Sequence, residues 1–306
     1  MTIRRLQYKT FAGFVKKGDK QWLPSTVNKE NHLNKATWLT SAVEVGSFFG
    51  TVQSYDGAAM SAGIEHQIAV LPRSMKQGGL WKLLMKIEEA SEPNMSPAIT
   101  KMFSMFRQVG WYLDPRGILR NTSDGTEVSG TEIRNEFTPL NGKVPDSKGA
   151  SALNKAHYDK ALQWIEIFSD VFSDPTTYPS QIKQAKLSLL ELHKDLESRV
   201  YSKYCNIKDA SVAITGRNIT PELDLAMCVY HSYSVNAPSR GRKVLEEVLS
   251  KNLSVTEFSK ALVKALGTNT YGNWRARYIR TWSAAKNSDL YCDTLFLPGQ
   301  IMPPTF

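Results

Sequence analysis

The residues best suited to chemistry fall in one stretch, Ser41-Ala-Val-Glu44-Val-Gly46-Ser-Phe-Phe-Gly50-Thr-Val-Gln53-Ser-Tyr55-Asp56-Gly-Ala-Ala-Met-Ser61-Ala-Gly63-Ile-Glu65-His66-Gln67. Glu44 closes an apolar helix, which Gly46 and Gly50 then break. A β-hairpin follows, with Asp56 at its turn and Ser61 on the returning strand. Folded back over the helix end, that hairpin opens a cleft between Glu44 and Asp56. Val43, Val45, Phe48 and Phe49 give Glu44 apolar surroundings, which raise a carboxyl pKa and retain the proton a general acid donates. Asp56, in a polar turn, stays ionised and can activate water or stabilise an oxocarbenium-like transition state. One protonated and one ionised carboxylate across a groove is the arrangement that glycoside cleavage requires. The expected separation is roughly 6.5–9.5 Å, wide enough for a water and hence for inversion.

Other groups compete with this reading. Glu65 is a rival carboxylate in the same hairpin, His66 a wall residue, and Ser61 a strand hydroxyl. The five histidines, His32, His66, His157, His193 and His231, show no metal-ligand spacing, so neither a metal site nor a cofactor is expected. No Gly-x-Ser-x-Gly elbow or phosphate-binding loop is present. Cys228 lies in an apolar helix three residues before His231 and reads as core. Two polar, aromatic segments could form sugar subsites: Tyr230-His-Ser-Tyr233-Ser-Val-Asn236-Ala-Pro238 and Thr268-Asn269-Thr-Tyr271-Gly-Asn-Trp274. Sugar rings stack on aromatic faces, and amides bond the hydroxyl and N-acetyl groups. Candidate substrate contacts are therefore Gln53, Tyr55, His66, Tyr233, Asn236, Asn269 and Tyr271.

The helix-end Glu44, the hairpin Asp56 and the Ser61-x-Gly63-Ile that follows resemble the active-site region of the lysozyme-like superfamily, which includes goose-type and phage lysozymes, chitosanases and bacterial or phage muramidases. The muramidase hairpin pattern Tyr-Asp…Ser/Thr-x-Gly-Ile-x-Gln is the most similar. At its last position this chain has His66, with Gln67 beside it. The resemblance implies that Glu44 is the acid, Asp56 the second carboxylate and Ser61 the hydroxyl that helps hold the attacking water. It further implies an α+β fold, mainly α-helical, with two helical lobes and a small β-hairpin at the cleft.

The elements that must position these groups are mostly helices. Apolar residues recur at three- and four-residue spacing over Ala36–Val45, Gly79–Ala90, Asn94–Val109, Ala156–Phe172 and Ser180–Tyr204. Pro221–Tyr233 and Arg240–Leu249 follow, and Ser254-Val-Thr-Glu257 is a capping box opening a helix over Thr256–Leu266. Gly50–Val70 reads as a hairpin or meander. Gly110–Pro145 reads as a loop-rich insert, and 291–306 as an irregular tail. A single catalytic domain over residues 1–290 is expected.

The net charge of +9 and pI near 9.3 imply a polyanionic partner. Within the resemblance, that favours anionic peptidoglycan over cationic chitosan. A chitosanase-like hydrolase is the nearer alternative, and a non-enzymatic basic module for nucleic acid or protein the more distant one. Nucleic acid is not expected, since no zinc-finger, RRM, KH or basic-zipper pattern occurs. A monomer is expected. Three cysteines, with no C-x-x-C pair, suit a reducing compartment. The start of the chain has positive charge but no apolar h-region. The expectation is cytoplasmic synthesis and action on the cell wall after release or delivery, as for a phage endolysin, a virion enzyme or an exported effector.

Overall fold

The computed structural model describes residues 3–8, 11–54, 58–138, 152–207, 218–268 and 273–296. It is mainly helical, with small antiparallel sheets, and divides into two compact units: Met1–Gln21 with Phe48–Gln184, and Trp22–Ser47 with Ala185–Phe306.

The first unit carries the sheets. β1 (Ile3–Tyr8) and β2 (Phe11–Lys16) form a hairpin, and β2 pairs with β5 (Val52–Gln53). β6 (Ser61–Ala62) and β7 (Gln67–Ile68) extend the sheet in the order β1-β2-β5-β6-β7. The β5–β6–β7 part is the meander expected after Gly50. The β1–β2 hairpin is not legible beforehand, because Ile-Arg-Arg-Leu-Gln-Tyr lacks the strict alternation that marks a strand. β3 (Lys20–Gln21) pairs separately with β4 (Phe48–Phe49).

Around the sheets stand α2 (Leu80–Ser91), α3 (Pro97–Gln108), α4 (Gly130–Phe137) and α5 (Ala152–Ser173). Their apolar stripes meet in an aromatic core of Trp81, Phe106, Trp111, Phe137, Trp164 and Phe168, all buried. Phe137 and Trp164 pack edge to face with ring centroids 4.9 Å apart. The indole N–H groups are satisfied: Trp81 donates to the Ala69 carbonyl (2.8 Å) and Trp164 to Glu136 Oε1 (2.9 Å). The expected loop-rich insert contains more order than that reading allows. β8 (Trp111–Leu113) and β9 (Leu119–Asn121) form a hairpin, and a reciprocal Ser129–Glu132 capping box opens α4. The Ser-x-x-Glu signal was there, but Gly130 and the shortness of the helix obscured it.

Close packing in this unit gives a first prediction. A Cβ on Gly18 would lie 1.4 Å from the Phe49 carbonyl oxygen, which is backbone of β4 and has no freedom to withdraw. Gly18→Ala should therefore destabilise the unit by about 3 kcal/mol, as overpacking does. Urea titration measures this, and an unchanged midpoint would contradict the approach of Gly18 to β4.

The second unit is helical: α1 (His32–Val45), the second half of α6 (Tyr178–Leu192), α7 (Lys194–Cys205), α8 (Pro221–Ser234), α9 (Pro238–Leu249), α10 (Val255–Thr268) and α11 (Asn273–Lys286). Every residue of α8 from Leu223 to Ser234 is buried, and α1, α9, α10 and α11 pack around it. A helix with no exposed face must be central. Ser254 and Glu257 cap α10 reciprocally, as the sequence predicts. The single helix expected over 180–204 is two, because the backbone leaves the helical region at His193 (φ −145°). The beginning of the expected tail is packed: Tyr291 and Leu295 are buried.

Candidate functional site

Glu44 sits in the last turn of α1, in the second unit. Gly46 ends the helix in the left-handed conformation (φ 66°), which glycine adopts without steric cost. The Glu44 carboxylate is held by residues from far along the chain. Asn236, just beyond α8, donates its side-chain amide to Oε1, and the Arg277 guanidinium of α11 forms an ion pair with the same oxygen. The Glu44 and Arg277 side chains are 9% and 12% exposed, while Asn236 is exposed.

This corrects the apolar environment expected for Glu44. Val43, Val45 and Phe49 are indeed buried, but the carboxylate itself faces a cation. Burial in hydrocarbon therefore cannot be the means by which Glu44 keeps a proton. The pair also sets the effect of substitution on stability. A sheltered ion pair that loses one member leaves the other without a counter-charge. Arg277→Met should lower stability by about 2 kcal/mol, and adding Glu44→Gln to that variant should restore part of the loss. A double-mutant cycle by urea unfolding measures the coupling, and additive effects would contradict the pair.

In the first unit, Gln53 and Ser61 face each other directly across β5 and β6, both buried. The structure thus brings together two predicted site residues on the strands that flank the predicted turn. Tyr55 and Asp56, in that turn, lie outside the described residues, as do Asn269 and Tyr271. Glu65 is 5% exposed; Gln67 donates to its Oε2 (3.0 Å), and Oε1 has no hydrogen-bond partner. Burial raises its pKa well above the usual carboxyl range. The proton-retaining environment expected for Glu44 is found at Glu65 instead. His66 adopts a left-handed backbone (φ 49°), its Nε2 is buried without a partner, and burial pushes its pKa down to about 4.

Tyr233 does not offer a sugar-stacking face. It is 4% exposed, on the all-buried stretch of α8, where its ring packs in the core. The helix expected over Pro221–Tyr233 runs to Ser234, so Tyr233 lies within it. Asn236, beyond that end, is the member of the segment that reaches the Glu44 carboxylate.

Sequence reasoning missed a buried polar set in the second unit. His32 Nδ1 lies 2.6 Å from Asp224 Oδ1, His32 Nε2 lies 3.0 Å from the Tyr201 hydroxyl, and Lys35 pairs with Asp224 Oδ2. His231 Nε2 and Glu197 Oε2 stand 3.5 Å apart, both side chains fully buried and without a hydrogen-bond partner. Asp224, Cys228 and His231, at three- and four-residue spacing on an otherwise apolar helix, were the available signal. Among protein-family models, curated proteins and solved structures, none matches this chain.

Proposed function

We propose that the chain hydrolyses the glycan backbone of peptidoglycan, with Glu44 giving a proton to the glycosidic oxygen and Asp56 serving as the second carboxylate. The observation that carries this reading is the fixing of Glu44. Its carboxylate, at the end of a buried helix and next to the exposed Asn236, is restrained by two partners, one just beyond α8 and one in α11. A positioned acid–base group contributes on the order of 10²–10⁴ in rate, and holding its rotamer is how a protein keeps that contribution. An arginine partner favours the charged form of a carboxylate.

Gln53 and Ser61, opposed on β5 and β6, add a polar pair beside the turn that carries Asp56 in the sequence. The net charge of +9 draws the protein to an anionic wall and disfavours cationic chitosan. Delivery to the wall by a phage particle, by host lysis or by export fits a substrate outside the cytoplasm. No helix of the described residues is long and apolar enough to cross a membrane. A zymogram with embedded cell wall tests the reading: a cleared band is expected. Retention of DNA that weakens with salt, without clearing, would replace the hydrolase by a basic binding module.

A further inference from the structure

We propose that His32, Asp224 and Cys228 supply three ligands to one soft divalent cation, zinc being the best fit. This goes beyond the glycan-cleaving reading and does not depend on it. Asp224 and Cys228 are one turn apart on α8, so they share a face, and α8 packs against α1, whose first residue is His32. All three are buried, and among the described residues they form the cluster of metal-ligating side chains whose donor atoms converge within 4.8 Å. Cys228 Sγ lies 3.7 Å from His32 Nδ1 and 3.7 Å from Asp224 Oδ1.

Those distances also fit weak thiol hydrogen bonds. They are close to the edge of a tetrahedron around zinc, about 3.5 Å for Zn–S near 2.3 Å and Zn–N near 2.0–2.1 Å. The third edge, 2.6 Å between Nδ1 and Oδ1, is a hydrogen bond that must open by about 0.7 Å to admit the ion. Thiolate, imidazole and carboxylate together suit zinc better than the hard cations.

The surrounding groups complete the case. Tyr201 stands at His32 Nε2 (3.0 Å), where it can accept the N–H of the tautomer that leaves the Nδ1 lone pair for the metal. Lys35 holds the second oxygen of Asp224 and keeps Oδ1 turned towards the cluster. Binding releases the Cys228 thiol proton, since the thiolate is the ligand. Histidine spacing could not reveal the site, because His32 lies 192 residues from Asp224 in sequence.

The test uses the full chain produced in zinc-supplemented and in cobalt-supplemented medium, since a buried site is loaded during folding. Elemental analysis should find stoichiometric zinc in the wild type. Cys228→Ala, which replaces a small buried thiol by a small apolar group, should fold and lose the metal at least tenfold. The Cys205→Ser/Cys292→Ser variant, altering the half-buried and the exposed cysteine, should retain it. The cobalt form should show a thiolate-to-metal charge-transfer band that Cys228→Ala abolishes. Less than about half an equivalent of either metal in the folded wild type, or full metal content in Cys228→Ala, would overturn the proposal. His32→Gln supplies a second variant if Cys228→Ala does not fold.

Discussion

Glu44→Gln should abolish wall lysis, with a loss on the order of 10²–10⁴ in rate, and should also lower stability by about 2 kcal/mol. The first effect follows from removing the proton that the leaving-group oxygen needs. Glutamine keeps the size and an acceptor oxygen, so Asn236 and Arg277 still have something to bond. The second effect follows from Arg277, 12% exposed, which loses its counter-charge. The two effects must be separated, so lysis is to be measured well below the unfolding transition of the variant, with folding checked by circular dichroism. A folded Glu44→Gln protein that keeps more than about a tenth of the wild-type rate would remove Glu44 from the chemistry.

Stability should peak near pH 6.5 and decline on both sides. Glu65 and Glu197 are buried acids whose pKa values burial raises well above the usual carboxyl range. His66 and His231 are buried bases whose pKa values burial lowers, to about 4 for His66 and well below the usual imidazole range for His231. Above pH 6.5 the unfolded chain has released these protons, while native Glu65 and Glu197 still hold theirs. Stability then falls as pH rises, by about 1.4 kcal/mol per pH unit for each retained proton, until the raised pKa values are passed.

Between pH 6.5 and 4.5 the unfolded chain takes up the two histidine protons while the native state holds two glutamic acid protons, so these four groups nearly cancel. In the metal-free protein His32, pushed down to about 3 by burial and by Lys35, tips the balance. His193, also lowered by burial, adds to it. Stability therefore falls with acid by about 1.4 kcal/mol per pH unit or somewhat more. Urea titrations from pH 4.5 to 9 measure the profile. Glu197→Gln should halve the alkaline slope, and a flat profile from pH 6 to 9 would contradict the burial of these acids as protonated groups.

Much of the fold was legible in the sequence, for reasons specific to each element. α2, α3 and α5 carry long apolar stripes against one core, and α10 announces its start through Ser254 and Glu257. The break at His193 was hidden because the apolar period continues on both sides of it. The β1–β2 hairpin was hidden because paired arginines interrupt the alternation. Of the local features around the candidate residues, the glycine-stopped helix end at Glu44 and the meander that carries Gln53 and Ser61 were readable from residue type and neighbours. Arg277 was not. It sits among basic residues of α11 with nothing local to mark it, and only the packing of α1 and α11 beside α8 brings it to Glu44. Local apolar neighbours therefore misrepresented the charge environment of Glu44. Glu65, with equally ordinary neighbours, is a carboxyl that the fold desolvates.

The proposed glycan cleavage is tested most directly by the chemistry of the products. Purified sacculi digested with the protein should gain sugar reducing ends in proportion to the soluble fragments released, with no new amino termini, and the Glu44→Gln protein should release neither. New amino termini without reducing ends would mean that a peptide or amide bond is cut, and no soluble fragments at any enzyme concentration would mean that the chain is not a wall hydrolase.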